Sequence, residues 1–327
     1  MKIDFVLLWV DGSDKKWSIK KSKYTGEILS SALNSNERYR DYDTLKYWFR
    51  SIEKYANWVN HIFLVTDNQC PSWLNSDYSK VSVVDHKDFL DERNLPVFNS
   101  NAIELNLDKI KGLSENFVLF NDDFFVNDNI KKNIFFENGI PKDSAIITPI
   151  IPIYGGISNI NNNNIQLINK YYDKKNVIKN HYSKFFNFKY GTNVIRTLLM
   201  SPWNNFPGFL DLHIAIPYTK TQFRKARELA PEEFKKTSAN KFRTNDDISH
   251  SFIRYKRMVD GEFIPRSMKV SKYYSLKNID NIISELSNPI HPLICINDAE
   301  SYNFDKEIQQ IRDTLENKFN FKSKFEK

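Results

Sequence analysis

The feature that most narrows the fold is a recurring unit, a short and largely apolar run that stops on small polar or acidic residues. Ile3–Val10 stops at Asp11-Gly12-Ser13-Asp14, His61–Val65 at Thr66-Asp67 and Val81–Val84 at Asp85-His86. Phe117–Phe120 stops at Asn121-Asp122-Asp123, and Leu293–Ile296 at Asn297-Asp298. Runs of this length suit buried strands, which need about four to eight residues, and are too short for helices. Helical patterns lie between them. Leu45, Trp48, Phe49, Ile52, Tyr55 and Ala56 form one stripe, with Asp43 placed to cap it. Alternating strands and helices predict an α/β fold with a Rossmann-like mixed sheet, its site along one edge of strand ends.

Further patterns fill in the chain. Asn99-Ser100-Asn101 reads as a helix cap ahead of Ala102–Ile110, with Glu104 suited to a capping box. Helices are also expected over Thr219–Leu229, from Pro231 onward, over Ser249–Val259 and at the C-terminus. Residues 18–36 read as a mobile loop, and the run Asn161–Asn164 as a boundary or lid. The resulting division is an α/β core over 1–140 that binds the small-molecule donor, a mainly helical insertion over 141–205 that reads as an acceptor or lid region, and a part over 206–327 that completes the site.

Charge and cysteine usage limit the partners. The 327 residues carry 47 Lys and Arg against 40 Asp and Glu, a net +7 that favours an anionic partner. Much of it lies in Lys170–Lys189 and Arg243–Arg257. Cys70 and Cys295 suggest no disulfide framework and read as buried, inert thiols of a reducing compartment. No window reaches the roughly 18 apolar residues of a membrane helix. Ile3–Val10 is too short for a signal peptide. A cytoplasmic protein is therefore expected. The Lys- and aromatic-rich stretch Tyr171–Tyr190 could stack on bases or sugars, lie on a membrane, or simply pack as a helical insertion.

Asp122 and Asp123 carry the chemistry that is readable from residue type. Two adjacent carboxylates at a strand end repel, and a divalent cation relieves that repulsion. The alternative is an ordinary Asx turn. Gly12 permits a tight turn and close approach of its amide to a ligand. Arg38, Arg40 and Arg50 read equally well as phosphate ligands or as partners of Asp41, Asp43 and Glu53. His213, alone on an apolar stretch, is by itself more simply a core residue.

Taken together, these blocks resemble the Stealth family of capsular polysaccharide sugar-1-phosphate transferases, which includes the animal enzyme that adds N-acetylglucosamine-1-phosphate to lysosomal glycoproteins. One block is Ile3–Asp14. A second runs from Arg38-Tyr39-Arg40-Asp41 through Phe98-Asn99-Ser100-Asn101-Ala102-Ile103-Glu104 to Phe120-Asn121-Asp122-Asp123-Phe124. A third is similar over His213–Asp247 and a fourth at Cys295-Ile296-Asn297-Asp298. Ala215 departs from the usual His-x-Pro of the third block.

The resemblance implies a nucleotide-sugar transferase fold and transfer of a sugar-1-phosphate from a UDP-hexose or UDP-N-acetylhexosamine to a glycan hydroxyl. The acceptor is expected to be a glycan, lipid-linked in one version, with peripheral contact on the inner membrane face and no nucleic acid. The resemblance also implies roles. Asp122, Asp123 and Asp298 hold Mg2+ or Mn2+, with one of the neighbouring pair free to orient the other. His213 is the general base, Asp123 shares the catalytic role, and Arg243 stabilises phosphate charge. Asp11 and Gly12 hold the nucleotide. Asn99, Ser100, Asn101 and Glu104 face the sugar, Asn297 contacts substrate, and Arg40 and Arg50 serve the diphosphate or brace the second block. Two other readings share many of these residues or the charge: a metal-dependent glycosyltransferase releasing nucleoside diphosphate, and a nucleic-acid-binding protein.

Overall fold

Side-chain alternation along the central strands sends apolar groups to both faces of one sheet, and both faces are buried. In the computed structural model, which describes residues 1–25, 32–34, 39–154, 156–297 and 304–327, Phe5, Leu7, Leu64, Val118 and Phe120 enter one core. Their neighbours Val6, Phe63, Val65, Phe117 and Leu119 enter another. Strands buried on both sides belong inside a covered parallel sheet.

The strands are β1 (Ile3–Leu8), β2 (Ile62–Thr66), β3 (Val81–Asp85), β4 (Asn116–Phe120), β5 (Phe124–Val126) and β6 (Phe136–Glu137). They continue with β7 (Ile140–Asp143), β8 (Ile216–Thr219), β9 (Ile264–Pro265), β10 (Ser271–Ser275) and β11 (Leu293–Asn297). The main sheet has the order β3-β2-β1-β4-β8. Its first four strands are parallel, and β8 runs antiparallel to β4. The order reverses direction at β1 and β4, which opens a crevice beyond their C-terminal ends. A smaller sheet, β10-β11-β5, carries the far strand. Helices Leu45–Tyr55 and Phe304–Lys318 cover one face; Ser158–Tyr171, Lys220–Leu229 and His250–Val259 cover the other.

Several local expectations give way to tertiary contacts. The stretch after residue 14 is a helix, Lys15–Thr25, and not a loop as far as it is described. Asp14 accepts from the Lys16 and Trp17 amides, Trp17 is buried, and the Lys21 ammonium sits 3.5 Å from the Tyr39 ring centroid. Asp43 does not cap the next helix: its φ is +56°, its carboxylate meets Arg312, and Thr44 takes the cap position. The asparagine run lies inside helix Ser158–Tyr171. Asn163 donates to the carbonyls of Asn245 and Asp247, and Asn164 donates to Ser249 Oγ at 2.9 Å. Those bonds outweigh the modest helix propensity of asparagine. Cys295 is buried as expected, but Cys70 is exposed.

Candidate active site

The sheet's crevice is a cavity of about 590 Å³. Trp9 and Val10 reach it from β1, Asp67 from β2, His86 after β3, and Asn121, Asp122 and Asp123 from β4. Register explains how a distant histidine joins them. Ile216 pairs with Leu119 in the antiparallel β4–β8 ladder. Stepping back three residues from Ile216 to His213 therefore advances an equal distance past the end of β4. His213 Nε2 lies 3.3 Å from Asp123 Oδ2. From the smaller sheet, Ile296 N donates to the Asp123 carbonyl at 2.9 Å, and the Cys295 thiol donates to Asp123 Oδ2 at 3.3 Å.

His213 is held with unusual care for a loop residue. Its φ is +45°, a left-handed conformation that a residue with a Cβ adopts at a cost. Asp211 Oδ1 accepts from its amide at 2.9 Å, and Arg254 Nη1 is 3.6 Å from the same oxygen. The ring packs edge-on against Phe124 and Tyr273, with centroids 5.1 and 6.0 Å away. Burial by itself would lower its pKa. The hydrogen bond and charge of Asp123, with Asp211 and Glu104 behind them, raise it overall.

The carboxylates are crowded. Burial, then the charges of Asp123 and Asp41, push Asp122 up to about 8. Asp41 is pushed to about 6, chiefly by burial. Asp123 Oδ1 is buried with no hydrogen-bond partner among the described residues. An orphaned carboxylate oxygen beside a carboxyl that holds its proton at neutral pH is a donor set whose repulsion a divalent cation would relieve. Asp123, His213 and Cys295 also offer ligand atoms within 4.8 Å of one another. Burial and the charge of Asp123 push the Cys295 thiol well up, so it stays protonated and donating, a weak ligand that leaves the oxygen donors to suit a hard ion.

On the cavity's other side, Arg243 Nη2 donates to Ser100 Oγ at 2.5 Å. His250 Nε2 lies 3.7 Å from Glu104 Oε2, and its Nδ1 pairs with the Tyr218 hydroxyl at 2.7 Å. Burial lowers His86 to about 4, so it is neutral there. A second cleft lies across His213, walled by Asp211, Lys269, Lys272, Tyr273 and His291.

Two conserved-region profiles match this chain: Stealth protein conserved region 1 over residues 1–28 and conserved region 2 over residues 38–143. It is 43% identical to a capsular polysaccharide phosphotransferase, WcwK, of Streptococcus pneumoniae, over 100% of this chain and 98% of the relative. It is also 43% identical to the exopolysaccharide phosphotransferase cps2G of Lactiplantibacillus plantarum, over 99% and 96%. The receptor polysaccharide phosphotransferase WefC of Streptococcus oralis matches at 36%, over 96% and 95%. The chain belongs to the Stealth family. It is an enzyme, a transferase of the phosphotransferase kind.

Within this Stealth protein, Asp122, Asp123, His213, Arg243, Ser100, Asn101, Glu104, Arg40 and Asn297 all line the one cavity. Other residues of the expected set lie elsewhere. Asp11 folds back on its own turn, accepting from the Ser13 amide and hydroxyl. Gly12 packs against backbone: a Cβ there would lie 2.1 Å from the Tyr39 carbonyl oxygen, so the glycine serves chain packing, not ligand approach. Asn99 is fully buried, capping Ser100–Glu104 and donating to Asp247 Oδ2 at 2.8 Å. The capping box expected of Glu104 is absent, and its side chain faces His250. Arg50 is turned away from the cavity and forked onto Glu326, with Nη2 2.8 Å from Oε2. Asp298 and Arg38 lie outside the described residues. Sequence reasoning missed Asp211, His250 and Cys295 as site residues. Asp211 was detectable, since a carboxylate two residues before a histidine can cap its amide.

Proposed function

We propose that this enzyme transfers a sugar-1-phosphate from a nucleotide sugar, a UDP-hexose or UDP-N-acetylhexosamine, to a hydroxyl of a glycan acceptor during capsular or cell-surface polysaccharide synthesis. The observation that carries the reading is the Asp123–His213 pair at the wall between two clefts. The names of the relatives, all polysaccharide phosphotransferases, support the reaction class. The expected location is cytoplasmic, against the inner membrane face.

In this reading the donor occupies the larger cavity and the acceptor enters across Tyr273. With Nε2–H held by Asp123, His213 Nδ1 carries the lone pair that accepts the acceptor proton, as in other carboxylate-oriented histidines. The hydroxyl oxygen bonds to the phosphorus next to the sugar, and the bond to the nucleoside phosphate breaks, releasing nucleoside monophosphate. Arg243, held by Ser100, meets phosphate oxygens with a planar fork that lysine lacks. Glu104 and His250 face the sugar end. Asp122 and Asp123 would hold Mg2+ or Mn2+, which when bound neutralises the donor's diphosphate oxygens; Asp298, expected as a third ligand, lies outside the described residues.

Incubation of purified protein with a panel of UDP-sugars and a glycan acceptor tests this. Nucleoside monophosphate and a phosphodiester product are expected, and turnover stops in excess chelator. Released nucleoside diphosphate with a glycosidic product would replace the reading by ordinary glycosyl transfer; full turnover in chelator would reject the cation.

A further inference from the structure

The insertion carries an exposed surface whose residues Ile195, Leu198, Leu199 and Trp203 line neither cleft. Helix Val194–Leu199 is inside out: Ile195, Leu198 and Leu199 are 56%, 59% and 62% exposed, while Thr197 is fully buried. Thr197 Oγ1 instead accepts from the Ile147 amide at 3.0 Å. Next to it, Trp203 is 58% exposed, and Ile151 and Ile153 add further exposed aliphatic groups. These pieces are tied together. Arg196 reaches Thr148 Oγ1, the Ile150 amide reaches the Pro207 carbonyl, and Lys174 donates to the Trp203 carbonyl at 2.7 Å. Exposed aliphatic groups gathered in this way mark a contact surface.

Charge identifies the partner. Residues 151–205 hold seven lysines and arginines against Asp173 alone, a net +6 of the chain's +7. Lys175, Lys179, Lys189 and Arg196 are exposed. Sugars stack on aromatic rings but gain little from isoleucine and leucine, which bury in hydrocarbon. Arg196 stands on the apolar helix itself, Lys189 in the turn before it, and Lys175 next to Lys174, which holds the Trp203 carbonyl; such cations extend toward anionic headgroups while their stems cover apolar surface. Toward the active site, the Ile153 amide donates to Ser158 Oγ at 2.9 Å, beside Ile157, which is 48% exposed and lines the catalytic cavity.

We propose that this face docks on an anionic phospholipid bilayer, with Ile195, Leu198, Leu199 and Trp203 entering the acyl boundary and Arg196, Lys189 and Lys175 on the headgroups. The docked orientation sets the cavity mouth beside the membrane. It deepens the peripheral placement given above but stands on exposure and charge alone, independent of donor chemistry.

Flotation of the full chain with vesicles tests it directly. Binding is expected to phosphatidylcholine mixed with phosphatidylglycerol in equal parts, to weaken with salt, and to fall sharply on phosphatidylcholine alone. The triple substitution Ile195→Ser, Leu198→Ser, Leu199→Ser removes exposed side chains only, so the melting temperature holds while partitioning drops about tenfold or more. Equal flotation of wild type and triple variant would overturn the proposal. So would a wild type that ignores vesicles but binds soluble polysaccharide through the same residues, which would make the face a glycan dock. Vesicle binding requires no turnover, so a failed donor assay and a failed flotation assay are told apart.

Discussion

His213 shows at the scale of one residue how a site concentrates cost. Its left-handed backbone, its capping by Asp211 and its bond to Asp123 all serve to hold one imidazole at one angle. Replacing it with alanine is expected to lower kcat by roughly 10² to 10⁴, the usual worth of a general base, with little change in a thermal melt. A second outcome follows from its surroundings. In metal-free protein the fold stabilises the protonated ring, so NMR titration should find His213 above the ordinary histidine value of about 6.5. Asp211→Asn preserves an oxygen that can cap the amide but removes a charge, and the titration should move down. An unmoved value would show that Asp211 acts only as a cap.

Among the elements, the C-terminal helix and tail are tied to the helix Leu45–Tyr55 by a buried fork. Arg50 donates through Nε and Nη2 to Glu326 at 2.9 and 2.8 Å, and through Nη1 to the Phe319 carbonyl at 2.8 Å. Arg50 Nη1 also meets Glu316 Oε1 at 3.2 Å. Glu326→Gln therefore leaves the guanidinium one partly exposed counterion and should cost about 1–3 kcal/mol in a denaturant melt. Arg50→Met strands the Glu326 carboxylate and should cost about 3–5 kcal/mol. Because Arg50 is remote from the cavity, KM for the donor should stay unchanged at temperatures where the variant is folded. A selective rise in KM would return Arg50 to the diphosphate. The same lesson applies to Asn161–Asn164. Their composition reads as loop, yet bonds to residues 245–249 make them helix, and no local pattern contains those partners.

For the molecule as a whole, the buried ion cluster beneath the site sets the response to acid. Asp143 is 1% exposed, forked by Arg254 at 2.9 and 2.8 Å, and bonded to Arg257. Burial alone would raise its carboxyl, but Arg254, Arg257 and Arg266 outweigh that and hold it well below the usual carboxylate range. The unfolded chain takes up this proton first, near the ordinary value of about 3.9, so the contribution is complete above that pH and drains away below it. Stability measured against pH should therefore fall by up to about 1.4 kcal/mol per unit from this group as pH drops under about 4. Asp143→Asn should flatten that slope and destabilise the protein at neutral pH, since Arg257 loses its bonded carboxylate and Arg254 keeps only Asp211 at 3.6 Å. No helix among the described residues is long and apolar enough to cross a membrane.

What the sequence determined by itself was the covered α/β sheet and the acidic strand ends. Alternating apolar residues have one low-energy arrangement, and polar residues that cannot enter the core must sit where strands stop. The family blocks likewise singled out His213, Arg243 and Asp123 before any geometry. Tertiary structure alone decided which candidates meet. The antiparallel register of β8 on β4 put His213 against Asp123, β11 brought Cys295 from 172 residues away, and the same folding turned Arg50 and Asn99 into structural partners. Residue type states what a side chain can do; the long-range pairing of strands, which no local window contains, fixes what it does it to.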